Sequence, residues 1–492
     1  MALRARLVAP PPPPEKDWPW HTVDAASIPI SALLIGDRRM EAENFLSTGY
    51  GLRIAIENKS RGWKPLSALA RTWQPNRLKG IQVSREYGTP FLAATQVYDV
   101  RPIPRKWLSL ERTEDASNRF VSDGTILVTC SGSVGRPTLA YGPHKSTLVS
   151  HDLLRVKPLD ERQHGWVYAF LHSPQARAMT KGAQYGHIIK HLETSHLDAI
   201  PVPLVSDTEA ADFSRRVAKI VRLRNEAYRL TLEAEERFET VLGEKRIADW
   251  GELGFEVKVS SALAFGRRRF EAAFHNPGVS AIKKHLKKTG KGFTTISNSG
   301  YEVWLPSRFR RIPATDGVLF VDSADLTEVN PDLTKHIADG DFGDPYRARV
   351  DEGWILMARS GQTYGIIGTC ILAGKDLEGK VISDHVMRIK PTKQPSIAPG
   401  YLVTALTHPR FGRPLVKALA YGSSIPEIEV ADIQSLEIIR IEPKQESAIA
   451  ELAEESAKAR AAADIIEREI ATDAEKIIAK FIEHGSRQFD AC

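Results

Sequence analysis

The sequence predicts an α+β protein of two like halves, each a mixed globular domain followed by one long helix. Three observations carry that reading: a set of echoes given twice in the same order, short β-like runs broken by Gly and Pro, and two long amphipathic stretches at equivalent places. Ile126-Leu-Val-Thr-Cys-Ser-Gly-Ser-Val-Gly135 returns as Ile355-Leu-Met-Ala-Arg-Ser-Gly-Gln-Thr-Tyr-Gly365. Ser150-His-Asp-Leu-Leu-Arg-Val-Lys-Pro158 returns as Ser383-Asp-His-Val-Met-Arg-Ile-Lys-Pro391, and Ser31-Ala-Leu-Leu-Ile-Gly-Asp-Arg-Arg39 as Ser261-Ala-Leu-Ala-Phe-Gly-Arg-Arg-Arg269. The offset is 230 at the front pair, 229 at the Ser-Gly pair and 233 at the Arg-x-Lys-Pro pair. It is about 236 where Tyr185-Gly186 meets Tyr421-Gly422. So small a drift marks a duplicated domain with a few insertions. Two like halves in one chain imply contact with two like things.

Taken in order, residues 1–25 form a leader in which Pro10 to Pro14 read as an exposed polyproline spacer. From 26 to 205, runs such as Gly124-Thr-Ile-Leu-Val-Thr129 and Leu153-Leu-Arg-Val156 are punctuated by Gly and Pro, as in a compact α+β domain. From 206 to 250 the texture changes. Proline is absent, Ser206 or Asp207 can cap a helix with Glu209 in its first turn, and Phe213, Val217, Ile220, Ala227, Leu230, Ala234, Phe238 and Val241 form a stripe at helical spacing. The second globular part spans 251–442. A second helix spans 443–485, where Ile449, Leu452, Ser456, Ala459, Ala463, Ile466, Ile470, Ala474, Ile477 and Phe481 step by three and four with one slip in phase. A short tail, 486–492, ends the chain. Helices of some 39 residues extend about 58 Å, and each narrow stripe needs a partner. The expectation is an antiparallel coiled coil of the two, with the globules at its opposite ends. The alternative is each helix packed on its own domain.

Bulk composition narrows the function classes. The hydrophobic fraction of 42% and charged fraction of 26% are those of an ordinary globular protein. No apolar run approaches the ~18–20 residues of a membrane helix, and the N-terminus reaches proline too soon for a signal peptide. Cys130, Cys370 and Cys492 are too scattered for a disulfide framework or zinc site, which fits a reducing cytoplasm. The net charge of +6 permits a polyanionic partner without requiring one.

Catalytic patterns are weak. Neither a phosphate-binding Gly-x-x-x-x-Gly-Lys-Ser/Thr loop nor a Gly-x-Gly-x-x-Gly turn occurs. Gly343-Asp-Pro-Tyr346 reads as a plain turn. His187, His191 and His196 face Ser423, Glu427 and Asp432 in the second copy, so a metal site would exist in one half alone, and none is expected. Ser150-His151-Asp152 faces Ser383-Asp384-His385 with acid and histidine exchanged, which a hydrolytic triad does not tolerate. It reads as a turn into a strand.

The basic residues say more. Between Phe265 and Arg311 eleven Lys and Arg stand against Glu271 and Glu302. They are Arg267, Arg268, Arg269, Lys283, Lys284, Lys287, Lys288, Lys291, Arg308, Arg310 and Arg311, with the four lysines at i, i+1, i+4 and i+5 along one side of a helix. Like charges repel, so their grouping points to a polyanion, with a merely solvated face as the plain alternative. In the first half Arg38, Arg39, Arg61 and Arg77 are diluted by acids. In the two Ser-Gly segments, Ser131, Ser133, Ser360, Gln362, Thr363 and Tyr364 offer uncharged groups that suit base edges or phosphates. A tight turn needed only for folding explains them equally.

This ordered set, given twice, resembles the specificity subunit of type I restriction-modification systems over residues 26–484. The marks are Gly124-x-Ile-Leu with Ser131-Gly132, Gly135 and Arg155-Val-Lys-Pro158, and Gly353-x-Ile-Leu with Ser360-Gly361, Gly365 and Arg388-Ile-Lys-Pro391. Ile200-Pro-Val-Pro-Leu204 matches the approach to the first helix, and Leu436-Glu-Ile-Ile-Arg-Ile-Glu-Pro443 is a weaker form before the second. The proline-rich leader lies outside the pattern and suggests a subtype, such as a methylation-associated phage-defence system. The resemblance implies two target-recognition domains that read a bipartite, asymmetric site in double-stranded DNA. It implies a helix pair that spaces them and docks adenine-methyltransferase subunits, with a restriction or translocase subunit as a further candidate partner. It also implies a cytoplasmic chain that is itself non-catalytic and carries no cofactor, S-adenosylmethionine belonging to the methyltransferase. The implied DNA contacts are the basic and Ser-Gly residues named above, together with Arg136, Tyr185 and Tyr421. A coiled-coil adaptor and a self-contained DNA-modifying enzyme are the rival readings.

Overall fold

Short apolar runs flanked by Gly and Pro pair into small sheets, and the long runs without Pro form helices, giving mixed helix and sheet content. The computed structural model describes residues 6–8, 23–25, 28, 42–77, 79–184, 190–243, 254–260, 269–339 and 345–484. The chain divides into two units. Unit 1 holds residues 1–98, 102–222 and 466–492, and unit 2 holds 99–101 and 223–465. The division falls inside each long helix rather than at its start. Ala234, Phe238 and Leu242, on the second half of the first helix, belong to the same buried cluster as Val279, Tyr401 and Phe411. Within the leader, Arg6–Val8 pairs antiparallel with Val23–Ala25. Pro10 to Pro14 lie outside the described residues, as does most of the Ser31/Ser261 echo.

The units share a strand plan. In unit 1 a four-stranded antiparallel sheet runs in the order Ala70–Trp73, Leu153–Pro158, Ile126–Thr129, Pro137–Leu139. In unit 2 the order is Tyr301–Trp304, Val386–Pro391, Ile355–Ala358, Cys370–Leu372. A second sheet repeats a parallel pair, Leu148–Val149 on Thr89–Leu92 and Val381–Ile382 on the Pro313–Val321 strand. A third ladder joins Pro201–Pro203 to Trp63–Pro65, and Glu437–Arg440 to Gly292–Thr295.

Two devices explain why parts of the echo persist. The first is a buried arginine. Arg155 Nη1 donates to Ser150 O at 2.9 Å and to Leu153 O, and Nη2 donates to Val149 O at 3.0 Å. Arg388 Nη1 donates to Ser383 O at 2.8 Å and Val386 O at 2.5 Å, and Nη2 to Ile382 O at 2.6 Å and Ala348 O at 2.9 Å. Both side chains are fully buried. Burial lowers them to about 10 and about 9, so both stay charged at neutral pH. The second device is a glycine at a helix crossing. A Cβ on Gly165 would stand 2.2 Å from Phe213 C, and one on Gly400 would stand 2.2 Å from Ala450 O. Each short helix, His164–His172 and Pro399–Thr407, therefore lies against the backbone at the start of the long helix that follows it.

The long helices are Asp207–Leu242 and Pro443–His484. Ser206 and Glu209 form a reciprocal cap, the Glu209 N–H donating to Ser206 Oγ at 3.3 Å and the Ser206 N–H to Glu209 Oε2 at 2.9 Å. The first helix ends at Gly243, with φ +78°. Its stripe is buried as the sequence suggests, except that Val241 is half-buried and Arg224 joins it. In the second helix Leu452, Ala459, Ile466 and Ile477 are half-buried, and Asp464 and Glu467 are buried instead. The acids are accommodated because they have partners. Asp464 pairs with Arg224 at 3.4 Å and accepts from the Asn330 N–H at 3.2 Å, and Glu467 accepts from the Tyr168 hydroxyl. No described helix is long and apolar enough to cross a membrane.

Candidate nucleic-acid interface

In unit 2 the helix Pro277–Thr289 starts from Asn276, whose side chain accepts from the Gly278 N–H at 2.8 Å, with Pro277 in its first turn. Val279, Ile282 and Leu286 turn inward, and Lys283, Lys284, Lys287 and Lys288 are all exposed along the opposite side. Lys283 Nζ lies 6.0 Å from the centre of the Phe274 ring, and the Arg269 guanidinium lies 4.8 Å from that ring and 5.8 Å from Tyr421. Arg269 itself is buried. It pairs with Glu271 at 2.9 Å and Asp432 at 3.1 Å and donates to Leu419 O at 2.8 Å. The expectation that Arg269 contacts DNA is corrected here: its charge is spent inside the fold. Lys291 is exposed and pairs with Glu442. Arg308 and Arg310 are exposed. Arg311 pairs with Asp384 and, at 3.9 Å, with Asp322. It lines an open cleft of about 670 Å³ with Thr315, Phe320, Lys335 and His336.

The Ser-Gly loops are hairpin connections with a shared closure. The Gly135 N–H donates to Thr129 O, and the Gly368 N–H donates to Ala358 O, both at 2.8 Å. Both glycines have positive φ, +82° and +68°, which only glycine adopts freely. Gly135 thus corresponds to Gly368 and not to Gly365. The loop of residues 359–369 is four residues longer than 130–136, which accounts for the rise in offset from 229 to 233. The serines brace these loops. Ser131 Oγ lies 3.3 Å from Asp152 Oδ1 and 3.2 Å from His191 Nδ1, and Ser360 Oγ donates to Glu427 Oε1 at 3.3 Å. Arg359 pairs with the same glutamate at 2.6 Å, and the Arg359 N–H donates to His385 O at 3.0 Å. Tyr421 exchanges backbone bonds with Glu427 at 2.9 and 2.8 Å and donates its hydroxyl to Glu429. Gln362, Thr363 and Tyr364 remain exposed at the loop tip. Contacts therefore run from Lys283 through Phe274, Arg269, Tyr421, Glu427 and Arg359 to His385, and on through Asp384 to Arg311.

Unit 1 is sparser. Ser133, Arg61 and Arg77 are exposed. Arg136 is half-buried, its guanidinium 3.9 Å above the Tyr98 ring while the Tyr98 hydroxyl donates to Arg136 O at 2.8 Å, so it serves packing. Arg38, Arg39, Tyr185, Arg267 and Arg268 lie outside the described residues, as do His187 and Gly343. Burial, aided by neighbouring arginines, lowers the pKa of His151, and Ser150 Oγ donates to Asp152 Oδ2 at 2.9 Å, as a turn before a strand would have it. Among the described residues, no group of three His, Cys, Asp or Glu is placed to hold a metal ion.

Sequence reasoning missed a surface that recurs in both units. The strand Lys106–Leu108 corresponds to His336–Ile337, so Lys106 matches Lys335 and Trp107 matches His336 through the pairs Pro90 with Trp107 and Leu319 with His336. Beside them the Ser109 N–H donates to Ile81 O at 2.9 Å, and the Ala338 N–H donates to Ile312 O at 2.8 Å. Ile81 and Ile312 are both exposed. In unit 1 the Arg85 guanidinium lies 5.8 Å from the Trp107 ring. The run Arg105-Lys-Trp107, basic then aromatic, was the available signal. Only strand pairing shows that it shares a ribbon with Ile81.

No family model and no curated protein matches the chain. Solved structures do. The chain is similar to type I restriction-modification S subunits. One is the S subunit from M. genitalium, at 12% identity and TM-score 0.27, covering 87% of this chain and 95% of that one. Another is the HsdS subunit from Thermoanaerobacter tengcongensis, at 13% identity and TM-score 0.25, covering 87% and 98%. A third comes from a study of assembly and conformational transition in the type I R-M system, at 13% identity and TM-score 0.26, covering 87% and 99%.

Proposed function

We propose that this chain is a specificity subunit of type I restriction-modification kind, a non-catalytic reader of a bipartite, asymmetric site in double-stranded DNA. The observation that carries the proposal is the doubled geometry. Each half repeats the arginine clamp, the glycine crossing, the Ser-Gly hairpin and an exposed basic ribbon, at matching positions. Two equivalent heads that differ in exposed side chains suit two half-sites of different sequence. Cations such as Lys283, Lys284, Lys287, Lys288, Arg308 and Arg310 would hold phosphates and set register, and uncharged loop groups would face the bases.

The two target-recognition domains, 26–205 and 251–442, would be spaced by their long helices pairing as an antiparallel coiled coil. Arg216 with Asp473 at 2.7 Å, Arg224 with Asp464 at 3.4 Å and Thr231 with Ser456 at 2.8 Å support that pairing, since one number rises as the other falls. Adenine-methyltransferase subunits would dock on this frame and bring S-adenosylmethionine, flipping the target adenine for the chemistry. A restriction subunit is a further candidate partner.

Filter binding of duplex DNA across a salt series tests the reader. Several phosphate contacts give a steep fall in affinity with salt, and a flat response favours a protein-only adaptor. Methyl transfer by the purified chain alone would overturn the division of labour. Methylome sequencing with and without the chain should reveal a split adenine motif.

A further inference from the structure

The second hairpin carries four more residues than the first. Gln362, Thr363 and Tyr364 form its tip, with Tyr364 68% exposed, and Ile425 on the adjoining segment is 66% exposed. The tip is braced on both flanks. The Gly361 N–H donates to Pro426 O at 3.1 Å, Gln362 Nε2 donates to Ser424 O at 2.7 Å, and Lys417 Nζ donates to Thr363 O and, at 3.3 Å, to Gly365 O. Single exposed apolar residues are ordinary. Two large ones on segments tied to each other, and rimmed by exposed Thr363, Ser423 and Ser424, form a rigid uncharged prong. Through Glu427, Arg359, His385 and Asp384 the prong is continuous with Arg311 and the exposed cations beside it.

We propose that Tyr364 and Ile425, with Gln362 at their side, form a reading prong that contacts base edges of one half-site and gives the second head its sequence preference. The inference rests on the DNA-reader function proposed above. Lys417 at the tip and the exposed Arg308 and Arg310 supply cations for flanking phosphates, while the prong itself offers apolar surface and neutral donors, which suit base edges and thymine methyls. Bracing by four hydrogen bonds limits the ordering cost on binding. A contact of this kind displaces no counter-ions, so it adds discrimination without adding to the salt dependence of affinity.

The test is selection and sequencing of a random-sequence duplex library by the full-length chain, comparing wild type with Tyr364→Ala and, separately, Ile425→Ser. Wild type should yield a split motif. Each variant should keep one half of it, lose preference in the other by on the order of tenfold at one or two base pairs, and retain the wild-type salt slope on a fixed duplex. Unchanged motifs in both variants would overturn the prong and turn attention to a protein partner for this surface. Loss of both half-motifs together with a lower salt slope would also overturn it, since that marks a phosphate or folding role. A wild-type chain that selects no motif would sink the reader function itself, and the prong with it.

Discussion

Arg155 and Arg388 show how a residue can be repeated for the fold and not for the ligand. Each spreads one guanidinium over three or four backbone carbonyls, most of them at and just before the start of its own strand. Lysine has neither the fork nor the reach. Arg388→Met should lower the unfolding transition of unit 2 by on the order of 3 kcal/mol, and Arg388→Lys should not rescue it. Urea denaturation followed by near-UV signals would measure both. His408 makes a second prediction. Burial against Phe238 and Phe411 pushes its pKa down from 6.5 to about 4, although Glu239 lies 3.8 Å away. Burial prevails because Glu239 is already paired with Arg410, and because His408 Nδ1 accepts from the Arg410 N–H at 3.3 Å, which requires a bare nitrogen. A depressed folded pKa means that the unfolded chain binds the proton first. Stability should therefore fall as pH drops from about 6.5 to 4, by about 3 kcal/mol in all. His408→Phe should flatten that part of the pH profile.

At the scale of elements, the helix Pro277–Thr289 and the paired hairpins divide the work. The helix presents four exposed lysines with no acid among them. Neutralising Lys283, Lys284, Lys287 and Lys288 together should weaken binding to all duplexes alike. It should lower the slope of log affinity against log salt by about 3 to 4 if each lysine meets one phosphate. A slope that does not change would make this a solvated face. The hairpins behave differently because Ser131 and Ser360, which look like ligand donors in sequence, are engaged with Asp152, His191 and Glu427. Exposed side chains beyond them, Ser133 in one loop and Gln362 to Tyr364 in the other, are left to face outward.

For the whole molecule, the proposed modular reader predicts a separable outcome. Replacing residues 26–205 with the equivalent domain of another such chain should change one half of the methylated motif and leave the other. A change in both halves would end the modular reading. Removing one heptad from both long helices should alter the spacer between half-sites, and methylome sequencing would register it. Partner exchange between the helices has to be preserved in such a design, because Arg224 and Asp464 are buried together and either alone is an uncompensated charge.

The sequence by itself carried the repeated motifs, β-like runs such as 124–129 and 153–156, and the two long helices. These depend on local patterns: periodicity, Gly and Pro punctuation, and the Ser206–Glu209 cap. It also singled out the exposed lysine face, since i, i+1, i+4 and i+5 spacing fixes a side of any helix. Tertiary structure alone decided which candidates were spent. Arg269 resembled its neighbours in sequence yet is buried between Glu271 and Asp432, residues far apart along the chain. Gly368 rather than Gly365 closes the second hairpin because only its backbone reaches Ala358 at positive φ. Ile81 and Lys106 share a ribbon because strands pair across intervals that no local pattern encodes. Local physics writes the elements into the sequence. Long-range pairing decides which side chains the elements leave facing outward.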